Sequence, residues 1–282
     1  MSDSPALTPW CQRWRDRQHT WRHATEPFTP ARYSVEPIRD RDAKAFCLTH
    51  HYATSYPAAI HRYGLIDHAD GQLVGVAVLA APASHAVLTT AFPTLTPYSE
   101  SVELARFVLL DQVPAPAESW MLARIFRDVR DHGVQGVVTF ADPMPRHRSD
   151  GAQVKPGHLG IIYQASNALY YGRGTARTLT LLPDGTVLHD RAAQKVRSQE
   201  TGHRYVEDRL ATLGATPITP ADNPTRWLAT ALRDIQADRV RHPGNHRYLF
   251  RLGNRRDRGR IAVGPAARPY PKQLDDTQPY LA

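Results

Sequence analysis

Residues 102–141 read VELARFVLLDQVPAPAESWMLARIFRDVRDHGVQGVVTFA, and their order decides the fold. Val102 to Leu110 is rich in Val, Leu and Phe, which predicts a strand. Ser119 to His132 has a helical period and stops at Gly133. Val134 to Ala141 predicts a second strand. A helix between two strands implies a crossover and parallel pairing. The chain is therefore expected to be α/β with a mixed sheet flanked by helices, not a bundle or a sandwich.

Working outward, Ala43 to Tyr52 predicts a helix entered at Asp40 and Asp42. Gln72 to Ala80 predicts a buried strand after the Asp70-Gly71 turn. On the other side, His158 to Asn167 predicts a short helix. Leu169–Gly172 and Thr178–Leu182 predict short strands, and Asp184-Gly185 a hairpin turn. Arg191 to Leu213 is a basic helical stretch interrupted at Gly202. Asn223 caps a further helix with Pro224 at its first position. Near the N-terminus, Trp10, Trp14 and Trp21 follow helical spacing among Arg13, Arg15, Arg17 and Arg22. They predict an amphipathic helix docked on the body, rather than an arm on nucleic acid. The expected divisions are a Trp/Arg arm over residues 1–32, a catalytic domain over 33–189, a basic extension over 190–263 and a loosely ordered tail over 264–282.

The chain has 282 residues, 41% of them hydrophobic, which excludes wholesale disorder. The longest near-apolar run, Leu73 to Ala81, falls well short of the roughly 20 residues of a membrane span. No signal peptide is readable, and two cysteines cannot frame a disulfide scaffold. A reducing, cytoplasmic location is expected. The net charge is +8. Residues 186–282 hold 17 Lys+Arg against 10 Asp+Glu, so nearly all the excess lies in the last third. Such asymmetry points to a polyanion, most often nucleic acid, with a merely basic surface as the alternative. Arg197, Arg204, Arg241, Arg247, Arg255, Arg256 and Arg258 are the candidate DNA contacts.

Four constellations could carry chemistry. In FCLTHHYATSY (46–56), His51 and Tyr52 lie where a helix ends, suited to proton transfer, to ligation of a hard metal, or to a plain surface. In ELARFV (103–108), strand alternation puts Arg106 on a face with Leu104 and Val108, so it needs an anionic partner, internal or substrate. Asp142 follows a strand at the end where α/β sheets gather ligands, although an Asp-Pro turn is the simple alternative. In GHLGIIYQASN (157–167), Tyr163 could donate a proton or brace the core, and Gly160 could admit a ligand beside Ser166 and Asn167. No Walker A or GxGxxG loop exists, but the helix N-terminus at Ser119 could hold a phosphate.

Several stretches occur together and in order: FCLTHHYATSYP, GLIDHADGQLVGVAVL, VELARFVLLDQVP with ESW, VVTFADP and HLGIIYQASNALYYGR. Over residues 33–185 they resemble the Mom family of phage-type DNA modification proteins, itself similar to the Gcn5-related N-acetyltransferase (GNAT) fold. The resemblance implies an acyltransferase-like enzyme that adds a carbamoylmethyl-type group to adenine N6 in double-stranded DNA. It points to His51, Tyr52, Arg106, Asp142 and Tyr163 as catalytic positions. It also implies an acyl-CoA donor and an iron ion, with His51, Tyr52 and Asp142 as the metal set. One departure matters. The acetyltransferase superfamily holds pyrophosphate on a glycine loop before its central helix, and here that place reads DQVPAPAES (111–119), without glycine. An ordinary CoA-dependent N-acetyltransferase and a non-catalytic DNA-binding protein are the other readings.

Overall fold

A computed structural model describes residues 10–15, 18–23, 25–53, 55–264 and 266–272. The elements are β1 (Trp10–Arg15), β2 (Gln18–His23), β3 (Tyr33–Pro37), α1 (Asp40–His50), β4 (Ala58–Asp67), β5 (Gln72–Ala81), α2 (Ala86–Ala91), β6 (Ser101–Leu109), α3 (Ala117–Asp131) and β7 (Gly136–Ala141). Next come β8 (Arg146–His147), β9 (Gln153–Lys155), α4 (Ile161–Ala165), β10 (Leu169–Arg173), β11 (Arg177–Leu181) and β12 (Val187–Leu188). The last are α5 (Asp190–Arg197), α6 (Arg204–Thr212), α7 (Pro224–Asp234), β13 (Asp238–His242), β14 (His246–Arg251) and α8 (Arg255–Arg260).

The described chain divides into two compact units that interleave in sequence. The first holds residues up to Pro143, His158–Gly174 and the chain from Asn245. The second holds Met144–Gly157 and Thr175–Gly244. The expected extension over 190–263 is thus divided, because β14 and α8 belong to the first unit. Of the expected tail, residues 273–282 lie outside the described residues.

The first unit is a seven-stranded sheet in the order β10-β14-β7-β6-β5-β4-β3. Every neighbour pair is antiparallel except β6 with β7, which are parallel. That is the pair anticipated from residues 102–141, and α3 is its crossover. On one face Met121, Leu122, Ile125 and Val129 of α3 pack on Leu79, Leu104 and Val137. On the other, Ala43, Phe46 and Cys47 of α1 cover Val76, Val78 and Ala80. Leu88 and Ala91 of α2, with Phe92 just after it, cover Val138 and Leu249. Helices on both faces explain why β5 is apolar at nearly every position. Each fully buried Leu or Ile contributes about 1.5–3 kcal/mol of transfer free energy.

The N-terminal segment is a β-hairpin, not the expected helix: Trp10 pairs with His23, Gln12 with Trp21 and Trp14 with His19. It docks on the first unit through Arg13, which is 7% exposed. Arg13 donates to the carbonyls of Leu110 and Val113, each at 2.6 Å, and to the Glu118 carboxylate at 3.1 Å. Residues 1–9 and the side chains of Trp10, Trp14 and Trp21 lie outside what is described.

The second unit packs Val196, Val206, Leu210, Trp227 and Leu228 of α5, α6 and α7 against Leu182 and Leu188. Its three-stranded sheet runs β12-β11-β13. Asn223 caps α7 as the sequence expected, accepting from the amides of Thr225 and Arg226.

Candidate active site

The parallel pairing of β6 with β7 extends only from Ser101 and Gly136 to Leu104 and Thr139. One residue later β6 bulges. Val78 pairs with Arg106 and Leu79 with Leu104, leaving Ala105 without a partner on β5. The two parallel strands then have no further paired positions, so they part at their carboxyl ends, where open α/β sheets place ligands. The bulge also resets alternation. Leu104, Phe107 and Leu109 pack on the α3 side, whereas Ala105 and Val108 pack on the α1 side. The expectation that Arg106 shares a face with Leu104 is therefore corrected by the extra residue.

Arg106 finds a partner, but not a carboxylate. Its Nε and Nη2 donate to the Ser55 carbonyl at 3.2 and 2.8 Å, and Nη2 reaches the Ser55 hydroxyl at 3.1 Å. A forked guanidinium suits this bidentate grip. It ties the loop after α1 to β6, and that loop carries His51 and Tyr52.

His51 ends α1, its amide bonded to the Cys47 carbonyl. Its Nδ1 accepts the Ala53 amide at 3.0 Å, which in the neutral ring leaves the proton on Nε2. Its ring lies 4.2 Å from that of Tyr52. The Tyr52 hydroxyl is 3.3 Å from Nε2 of His158. The His158 amide donates to the carbonyl of Asp142, at the end of β7, at 3.0 Å. The structure thus gathers His51, Tyr52 and His158 beside the backbone of Asp142, and Arg106 braces the loop that carries the first two. His158 was missed as a candidate because nothing in a local sequence links it to Tyr52, 106 residues away.

Glu103 was missed as well. It lies on β6 beside the fork, half-buried, and burial pushes its carboxyl up to about 7 against the opposing pull of Arg106. The signal was present as an acidic residue inside an apolar strand. A carboxyl titrating near neutrality is matched to proton transfer at working pH.

Tyr163 stands against Thr139, the last β7 residue paired with β6, and feels the charge of Glu103. It is 7% exposed, and burial raises its hydroxyl above the ordinary phenol range. Its ring meets Tyr248 at 5.5 Å and Phe250 at 6.4 Å, and its hydroxyl meets Thr139. It braces the core behind the fork. Gly160 takes a left-handed φ of 72°, and a Cβ there would lie 2.8 Å from both Tyr163 and Tyr248. Protein side chains, not open space for a ligand, fill that cradle. Asn167, at φ 60°, terminates α4 while the Ala168 amide bonds back to Tyr163. Ser166 keeps a buried hydroxyl without a hydrogen-bond partner among the described residues. Ser119 is exposed and its hydroxyl donates to the Pro116 carbonyl at 3.3 Å.

The groups implied by the resemblance can be tested against these donors. Among the described residues no group of three or more His, Cys, Asp or Glu side chains could hold a metal ion. The His51 ring accepts a backbone amide at Nδ1 and the Tyr52 hydroxyl faces His158. The resemblance puts the CoA pyrophosphate just before α3. The Glu118 carboxylate stands in the first turn, and the Arg13 guanidinium is spent on it and on loop carbonyls. Two cavities of about 510 Å³ lie elsewhere on this unit, one beside Trp120 and Arg124 and one beside Phe46 and His50. Neither is lined by the residues gathered at the fork.

Of the expected DNA contacts, Arg197, Arg204 and Arg241 are exposed on the second unit, and Arg255, Arg256 and Arg258 are exposed on α8 of the first. Arg247 is not available in the same way. It is half-buried, 5.1 Å over the Tyr171 ring, and donates to the Tyr171 carbonyl at 3.3 Å. No helix among the described residues is long and apolar enough to cross a membrane.

No curated protein sequence matches the chain. Among solved structures it is similar to a GNAT family acetyltransferase from Elizabethkingia anophelis with acetyl-CoA bound, at 8% identity and a TM-score of 0.33 over 78% of this chain and 99% of that one. It is similar also to the GNAT family N-acetyltransferase YhbS from Escherichia coli in complex with CoA, at 14% identity and a TM-score of 0.29 over 43% and 68%. A third is a tandem GNAT protein from the clavulanic acid biosynthesis pathway, at 12% identity and a TM-score of 0.34 over 78% and 70%. At the level of sequence families, the match covers residues 32–272, nearly the whole chain, and on that match the protein belongs to the Mom protein family.

Proposed function

We propose that this protein is an acyltransferase-like enzyme that modifies adenine in DNA at the exocyclic N6 amine, with a carbamoylmethyl-type group as the adduct. The observation that supports it best is the Tyr52–His158 contact at the end of β7, with the raised carboxyl of Glu103 on the neighbouring strand β6. In this reading N6 attacks the electrophilic carbon of an activated acyl or carbamoylmethyl donor. The N–C bond forms and the bond to the leaving group breaks. The N6 proton passes to Glu103, and the leaving group takes a proton from Tyr52, which His158 can replenish. Arg106 holds the Tyr52 loop in register and is a positioning residue. Adenine N6 is engaged in pairing within a duplex, so the base must be flipped or single-stranded. Exposed arginines supply backbone contacts, and the cytoplasm of a bacterial host or phage-infected cell is where such DNA is met.

Mass spectrometry of nucleosides from cells expressing the protein tests this. A modified deoxyadenosine is expected with the wild type and not with Tyr52→Phe. Unmodified DNA together with acetylation of a small amine or protein would instead establish an ordinary CoA-dependent N-acetyltransferase. DNA that is bound but unmodified by the wild type would leave a non-catalytic DNA-binding protein.

A further inference from the structure

The strand β13 reads Asp238-Arg239-Val240-Arg241-His242 and is an edge of the second unit's sheet. Val240 and His242 are buried, at 3% and 0% exposure, while Arg239 and Arg241 are exposed. The antiparallel register pairs Arg239 with Thr180 and Arg241 with Thr178 on β11. Directly paired residues share a face, so two guanidiniums and two hydroxyls lie on one side of a two-stranded ribbon. Among the described residues neither guanidinium has an ion pair or a hydrogen bond. Three other arginines of this unit stand in ion pairs: Arg191 with Glu200, Arg209 with Asp184 and, at 3.9 Å, Arg233 with Asp234.

Charges on an edge strand also discourage pairing with another sheet. That role would be met by any charge, however partnered. Here the one acidic residue of the strand, Asp238, pairs with Leu181 and so belongs to the opposite face. The other face carries the exposed Arg239 and Arg241 and the half-buried Thr178 and Thr180, with the buried Leu188 of β12 beyond Thr180. Two residues along an antiparallel strand span about 6.8 Å. Phosphates along one DNA strand rise about 3.4 Å each along the helix axis and wind around it, so neighbouring phosphates stand further apart than that rise and two arginines so spaced can each reach one. Guanidiniums and hydroxyls suit phosphate oxygens and carry no base code.

We propose that the β11–β13 ribbon is a docking surface for the DNA backbone, with Arg239 and Arg241 each on a phosphate and Thr180 and Thr178 beside them on β11. The proposal rests on the DNA-modification reading above and assigns the backbone contact to a surface outside the candidate active site. The test measures binding of the full chain to a duplex oligonucleotide across a range of salt concentrations. The variants are Arg239→Gln/Arg241→Gln and, removing the same formal charge from paired arginines, Arg191→Gln/Arg233→Gln. Thermal unfolding of each verifies the fold. The ribbon variant is expected to flatten the salt dependence by about two units of slope, with the paired-arginine variant close to wild type. A ribbon variant with the wild-type slope would overturn the surface while leaving DNA as the partner. Equal flattening in both variants would overturn it too, by reducing the effect to net charge. A wild type that binds no duplex would bring down the DNA reading itself.

Discussion

Glu103 carries the sharpest consequence at the scale of single residues. Burial pushes its carboxyl from 4.5 to about 7 in the folded protein. Between about pH 4.5 and 7 the unfolded chain has released a proton that the folded chain keeps. The folded state therefore loses stability as pH rises through that window, and the loss is complete above about pH 7. Glu103→Gln should make the protein more stable at pH 8 by about 1–3 kcal/mol, with no difference below about pH 4, as read from urea unfolding at the two pH values. Modification by the wild type should follow one ionisation near 7. Full activity in the Glu103→Gln variant would take the base role away from Glu103. Gly160 gives a second residue-scale expectation. Alanine there must adopt a left-handed φ and press on Tyr163 and Tyr248, so Gly160→Ala should cost about 2–4 kcal/mol. A lowered denaturant midpoint at unchanged slope would register it.

Among the elements, the β1–β2 hairpin has an anchor that can be removed cleanly. Arg13 satisfies two loop carbonyls and Glu118 from a nearly dry position. Arg13→Ala leaves the Glu118 carboxylate without that partner, and breaking such a pair costs about 3–5 kcal/mol. Arg13→Lys should recover less than half of the loss, because an ammonium lacks the planar fork. Denaturant unfolding of the three proteins would decide it, and a fully recovered Lys variant would show that charge alone suffices. The same hairpin shows how local spacing misleads. Trp10 and Trp14 are four apart, which fits a helical face, but four is also a multiple of the strand period of two. The hairpin is chosen by pairing and by the Arg13 contact with a loop about 100 residues away, neither of which a local window contains.

Across the whole molecule, the positive excess of the last third is shared between two units rather than gathered in one extension. Arg255, Arg256 and Arg258 are exposed on α8, which is capped by Asn254 and tied to α3 through Arg130 and Asp257 at 2.8 Å. If they also meet phosphates, replacing all three with Gln should weaken duplex binding and lower its salt slope by about 0.9 for each phosphate they neutralise. Modification at saturating DNA should persist, since none of them lies at the fork. An unchanged slope would confine backbone contact to the second unit.

The α/β class was readable in residues 102–141, because one helix between two apolar strands leaves little choice but a parallel crossover. The strand Gln72–Ala81 and the capped helix at Asn223 were readable for similarly local reasons: continuous apolarity in one, a side-chain acceptor beside a proline in the other. The strand Ala58–Asp67 was not, since His61 and Arg62 interrupt its alternation and only pairing with β3 and β5 makes it a strand. At the site, types were legible and neighbours were not. His51, Tyr52 and Asp142 could be singled out as polar groups at element ends. That Tyr52 meets His158, that Arg106 grips Ser55, and that a bulge at Ala105 turns Leu104 away from Arg106 follow from contacts between residues far apart or from one extra residue in a register. Such facts are created when the chain closes on itself, because hydrogen-bond partners and burial belong to the assembled sheet and not to any one of its strands.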